Sequence, residues 1–148
     1  MLPPLYLLFL LAVLFAAILS GAYTRFRHRR KLRLCARKWN MHFAPGDRLR
    51  LARRVAGSFP IIGAANITVR DLIFRTEDSR HQYLFTVDYT VGVIRGKVGR
   101  STVAGFTEPI SRGTRLQPAP MVLSLAPPNL HGPAAYEFVL QRLGVPSA

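Results

Sequence analysis

The sequence predicts an α+β chain: an N-terminal transmembrane helix followed by a small antiparallel β-sheet domain with flanking helices. Three observations carry that expectation. Residues 5–19 (LYLLFLLAVLFAAIL) form an unbroken apolar run, and no charged side chain occurs before Arg25. Residues 81–93 alternate between an apolar odd set and a mixed even set, the period of a strand with one buried face. Near the C-terminus, Tyr136, Val139, Leu140 and Leu143 repeat at the i, i+3, i+4, i+7 spacing of a helix face. The expected division is a transmembrane helix over 1–24, a basic juxtamembrane helix over 25–38 and one small α+β domain over 39–148.

A bilayer core about 30 Å thick takes about 20 helical residues to cross. The stretch from Pro3 to Tyr23 supplies them. Pro3 and Pro4 sit where the first helical N–H groups have no partner in any case. Tyr6 and Tyr23 lie near the two ends, where an amphipathic ring suits the headgroup level. The rival is a cleaved secretory signal, for which Ser20-Gly21-Ala22 offers small residues at a cleavage point. Against it, no charged side chain precedes the apolar core, and a dense positive block follows it.

That block comprises Arg25, Arg27, Arg29, Arg30, Lys31, Arg33, Arg37 and Lys38, with no acidic residue among them. Positive residues beside a span are retained on the cytoplasmic side, so the N-terminus is expected outside and the C-terminal domain in the cytoplasm. These eight are read as topology determinants that also meet anionic lipid headgroups, each worth about 1 kcal/mol near the surface. The formal net charge of +14 is concentrated here. Residues 25–54 carry +11 and residues 55–148 only +3, which weakens a nucleic-acid reading of the whole chain. Leu32, Cys35 or Ala36, and Trp39 share one helical face. Such a stretch suits either a membrane interface or a surface helix packed on the domain.

The domain follows in short elements. Residues 39–43 alternate as a strand, and Ala44-Pro45-Gly46 reads as a turn. Asp47 can cap a short helix starting at Arg48, with Leu49, Ala52 and Val55 apolar and Arg50, Arg53 and Arg54 elsewhere around it. Residues 66–75 are rich in β-branched and aromatic side chains and pair with residues 81–93 as a hairpin, through a turn of three to five residues at Glu77-Asp78-Ser79. A strand over 101–106 carries Gly105, which weakens it or marks a bulge. Residues 109–120 read as loop, and residues 121–125 as a strand. Gly132-Pro133 starts the last helix, and Gly144 and Pro146 stop it.

No phosphate loop, dinucleotide fingerprint or nucleophile elbow is present. His28, His42, His81 and His131 are far apart, without paired ligands, so no metal or cofactor is expected. Asp71 and Asp88 sit within strands and are read as ion-pair partners of Arg70, Arg75 or Arg95 on a solvated sheet face. Cys35, the only cysteine, excludes an internal disulfide and reads as a small hydrophobe. A site assembled only by the fold would have to gather Asp71 or Asp88 with a histidine in a pocket.

Residues 31–47, KLRLCARKWNMHFAPGD, carry the spacing Met41-x-Phe43-x-Pro45-x-Asp47 behind the basic helix. This resembles bacterial single-pass membrane-anchored proteins with a small cytoplasmic domain, in which a span leads to a basic helix, a strand and turn, and a sheet closed by a tyrosine-rich strand like residues 83–89. The likeness covers residues 25–92. It implies an architecture and brings no activity with it. Eighteen Arg against three Lys accords with a GC-rich bacterial genome. The expectation is a non-enzymatic, single-pass protein of the cell membrane. It presents an interaction domain at the inner leaflet to lipid or to a protein partner. The alternative is an exported, cleaved basic protein that binds acidic polymers or nucleic acid.

Overall fold

Residues 5–38 contain no proline. In the computed structural model the apolar run and the basic run form one continuous helix, α1 (Pro4–Lys38). The structure describes residues 4–77, 79–92, 96–110 and 121–144. The expected turn or loop residues Asp78, Gly113, Pro118, Pro120 and Pro146, the strand end Val93 and the ion-pair candidate Arg95 lie outside these. The two halves of α1 live in different surroundings. An 18-residue window of its apolar half reaches mean hydropathy 2.5, and none of that window is covered by the rest of the chain. By length and composition this half can cross a membrane.

The second half of α1 is a core element. Leu32, Ala36 and Trp39 are buried and join Ile73, Leu84, Tyr136, Val139 and Leu140 in one cluster. Of the two surroundings expected for this stretch, the structure shows packing on the domain. Burying a side chain the size of Leu contributes about 1.5–3 kcal/mol. The helix ends in a left-handed cap. Asn40 takes φ 53°, the Met41 N–H donates to the Ala36 carbonyl at 2.8 Å, and the Asn40 N–H donates to the Arg37 carbonyl at 3.1 Å. The Met41 side chain follows Ala36 into the same cluster.

That cap delays the first strand. β1 is His42–Gly46, later than the expected strand over 39–43, and the expected turn Ala44-Pro45-Gly46 lies inside it. Proline is tolerated because β1 is an edge strand, paired only with its neighbour β2. The next helix, α2 (Leu51–Ser58), also starts later than expected, because Arg50 takes a left-handed φ of 53°. Asp47 caps it as anticipated: its carboxylate accepts the N–H groups of Leu51 at 2.7 Å and Ala52 at 2.9 Å.

The sheet has five antiparallel strands in sequence order: β1, β2 (Ala65–Glu77), β3 (Arg80–Val91), β4 (Val98–Pro109) and β5 (Ser124–Leu125). Glu77 pairs with Arg80, so the β2–β3 connection is tighter than the three to five residues expected. The register of β2 shifts twice, between Ala65 and Thr68 and between Arg70 and Ile73. Each shift sets two residues against one, and each holds a residue at positive φ, Asn66 and Asp71, both 52°. A bulge also flips the alternation. Val69 before the second bulge and Leu72 after it therefore reach the same core cluster.

The expectation of a half-buried sheet with one solvated face is corrected. Leu84, Phe85, Thr86 and Val87 are consecutive in β3 and all buried. The face carrying Leu84 packs on α1 and the last helix, α3 (Pro133–Arg142). The face carrying Phe85 and Val87 packs on Leu51 and Val55 of α2. β4 pairs with β3 without a register break, so Gly105 marks no bulge. It marks close packing: a Cβ there would meet the Tyr83 carbonyl and Val139 Cγ1, each at 2.8 Å. Of the strand expected over 121–125, only Ser124 and Leu125 pair. Gly105→Ala is therefore expected to destabilise the fold by about 1–3 kcal/mol through overpacking. A denaturant titration of the full chain in detergent reads this as a lowered midpoint.

Candidate functional site: a cleft between the basic helix and the sheet

All eight predicted basic residues lie on α1 and all are exposed. They do not form a uniform collar. Successive helical residues are turned by about 100°, so Arg25 and Arg29 line up with Leu32, Ala36 and Trp39 on the face turned to the sheet. Arg27, Arg30, Lys31, Arg37 and Lys38 lie round the other side. Arg33 stands between, its guanidinium 5.8 Å from the centre of the Phe43 ring. The 4-3-4-3 spacing of Arg25, Arg29, Leu32, Ala36 and Trp39 is visible in the sequence and separates the two groups.

Where the packed part of α1 ends, helix and sheet enclose a cleft of about 670 Å³. Thr24, Arg25, His28 and Arg29 line it from the helix, and Arg70, Asp71 and Asp88 from the sheet. Asp71 is its pivot. The second bulge of β2 turns this residue into the protein, where its side chain is 2% exposed. One carboxylate oxygen accepts from Arg70 Nη1 at 3.0 Å. The other, Oδ1, has no hydrogen-bond partner among the described residues and lies 3.6 Å from Arg29 Nε. The Asp71 carbonyl accepts the Tyr136 hydroxyl at 2.8 Å, and that hydroxyl also bonds Thr86 Oγ1 at 2.8 Å. Burial pushes the Tyr136 pKa well above its usual value, so the group remains a hydroxyl donor. Thr86 and Tyr136 hold the bulge that carries Asp71, and they escape sequence reading because Tyr136 reads there only as one more apolar position of α3.

Arg70 also bridges to Asp88, with Nη2 3.1 Å from Oδ1 and a second contact through Nε. The hydrogen bond to Asp88 raises the Arg70 pKa, outweighing burial. For Asp88 itself, burial works to raise the carboxyl pKa. The hydrogen bonds from Arg70 and Ser101 and the Arg70 charge work the other way and leave it below its usual value. The fold thus gathers His28, Asp71 and Asp88, the combination an assembled site requires. Yet both carboxylates face guanidinium groups, and for Asp88 the Arg70 guanidinium holds the carboxyl below its usual value. General acid–base work calls for a carboxyl raised toward neutrality. What the cleft offers chemically is cationic donors at its helix wall and a sheet wall whose charges are already paired.

The other expected pairings sort differently. Arg75 hydrogen-bonds Gln82 and the Trp39 carbonyl and reaches Glu77 at 2.8 Å, not either aspartate. Arg54, itself exposed, pairs with Glu108 at 2.7 Å and lies over the Phe106 ring; Arg48, Arg50 and Arg53 are exposed as well. His42 and His131 are exposed, His81 Nδ1 lies 2.9 Å from Thr76 Oγ1, and only His28 reaches the cleft. Among the described residues no group of three or more His, Cys, Asp or Glu could hold a metal ion. Cys35 packs against the core cluster. Burial raises its thiol pKa, the Glu137 charge adds to this, and Lys38 opposes it.

Two measurements probe the pivot. Tyr136→Phe strands the buried Asp71 carbonyl and the Thr86 hydroxyl, and is expected to cost about 1–3 kcal/mol of stability, read as a lower unfolding midpoint. The depressed Asp88 pKa means that its stabilisation is present above the unfolded-state value of about 3.9 and is lost as pH falls through the lower folded value. Asp88→Asn is therefore expected to lower the midpoint at neutral pH and flatten its fall below about pH 4. No family model, no curated protein and no solved structure matches this chain.

Proposed function

We propose that this protein is a single-span anchor that holds a small α+β interaction domain against the inner leaflet of the cell membrane. The N-terminus lies outside and the domain lies in the cytoplasm. One observation carries the reading: α1 is a single helix whose apolar half is wholly uncovered while its C-terminal half is core. A soluble domain does not leave such a length of Leu, Phe and Ile in water. Bilayer lipid is the solvent that suits it. The basic block begins directly where the apolar run ends, which favours cytoplasmic retention of everything after it. Arg27, Arg30 and Lys31 face outward within reach of anionic headgroups, each worth about 1 kcal/mol near the surface, while Arg37 and Lys38 stand about 20 Å beyond Thr24 along the rod. Arg25 and Arg29 turn the same charge into the cleft.

In this reading the domain binds and presents; it performs no reaction. Its partner is the membrane surface, with a protein as a further partner. The +3 carried by residues 55–148 gives nucleic acid little to hold.

Fusing reporters after Ala148 tests the orientation. A fluorescent protein there is expected to be bright and alkaline phosphatase silent; the reverse result overturns the reading. Intact-mass measurement of the membrane fraction is expected to show the apolar run retained, whereas a chain beginning at Tyr23 would identify a cleaved, exported protein.

A further inference from the structure

Depth along α1 converts into depth along the sheet. The Trp39 carbonyl accepts from Arg75, which also holds Gln82. Leu32 and Ala36 pack in the cluster that contains Leu84. Thr24 and Arg25 share the cleft with Asp88. From residue 39 to residue 24 a helix rises about 22 Å, and from Gln82 to Asp88 a strand rises about 20 Å. Helix and strand therefore run side by side, and the end of β3 beyond Asp88 points the same way as the apolar half of α1. β3 continues to Val91, about 10 Å further. Alongside this extension, α1 before Thr24 is exposed, so the sheet's lower end stands apart from the rod at the depth where the apolar run ends.

That end of the sheet has unusual chemistry for a free surface. Ala65 pairs with Thr90, and Val91 pairs with Val98, so the connection from α2 to β2 and the start of β4 both lie there. The connection makes a turn in which the Ala64 N–H donates to the Ile61 carbonyl at 3.2 Å. Gly63 takes φ 77°, which a glycine supplies without strain. The crest of the turn is Ile62, 96% exposed, more than any other large hydrophobic residue described. Val98 is exposed too, and Lys97 and Arg100 flank it.

We propose that this end of the sheet is a second membrane contact. Ile62 and Val98 enter the boundary between headgroups and acyl chains, and Lys97 and Arg100 meet anionic lipid phosphates. Interfacial segments sink about 5–10 Å into that layer, which matches the reach of the sheet beyond Asp88. The site is continuous with the bilayer that α1 enters, and its charge complements an anionic leaflet. The inference rests on the reading of α1 as a span.

The test uses the full chain, in a Cys35→Ala background, reconstituted into vesicles containing anionic lipid. An environment-sensitive fluorophore is attached through Ile62→Cys, through Thr107→Cys at the far end of the sheet, or through Leu11→Cys within the apolar run. The label at position 62 is expected to be quenched by lipid carrying a nitroxide high on its acyl chain. Its quenching by aqueous iodide is expected to be several-fold weaker than at position 107. Iodide quenching at 62 equal to that at 107 overturns the contact. So does a label at 62 shielded from both quenchers, which would mean that protein covers it. Position 11 then identifies which premise failed. If it is quenched by nitroxide lipid, the second contact alone is wrong; if it is open to iodide, the span is wrong as well.

Discussion

Leu32 and Ala36 belong to the same uninterrupted helix as the apolar residues 5–19. Every other feature of the molecule depends on that sharing. A helix transmits its direction from end to end, so the element that would lie in lipid is also the element on which the sheet and α3 condense. No linker separates the apolar half of α1 from the domain. Removing the second half of α1 would open the cluster of Ile73, Leu84, Tyr136 and Leu140 to water, so the domain is incomplete without part of its long helix.

The cleft is the price of bringing a charged helix onto a sheet. Arg25 and Arg29 continue the line of the packed face beyond the point where apolar side chains can fill it. The sheet answers with a bulge that presents a buried carboxylate, and Arg70 ties that carboxylate to Asp88. Tyr136 then pins the bulge through its carbonyl. A buried carboxylate is tolerable only where cations and hydrogen bonds surround it. Here they come from α1 through Arg29, from β2 itself through Arg70, and, at the backbone, from α3. Asp71 is thus a junction of three elements.

Much of the fold is legible in the sequence because its signals are local. The alternation of β3 and the face of α3 follow from one-dimensional periods. Asp47 as a cap follows from its place just before an apolar-periodic run. The elements that shifted did so for non-local or left-handed reasons. Asn40 and Arg50 both take positive φ, and each postpones the element after it. The two bulges in β2 break its alternation, so residues 66–75 show β propensity without a readable face. The buried state of Asp71 could not be read, since it needs a register shift and a helix from each end of the chain. The division of the basic block was readable, because the spacing from Arg25 to Trp39 is a regular helical stripe.

The left-handed cap at Asn40 stops α1 without a hinge, and the Met41 side chain locks the turn into the core. Helices in membranes tilt by about 20° on average, by an amount that changes with bilayer thickness. Set in a bilayer, a rod gripped by its own sheet cannot tilt alone. The domain would swing with it as a pointer swings with its needle, and its angle to the surface would become a gauge of how thick the membrane is.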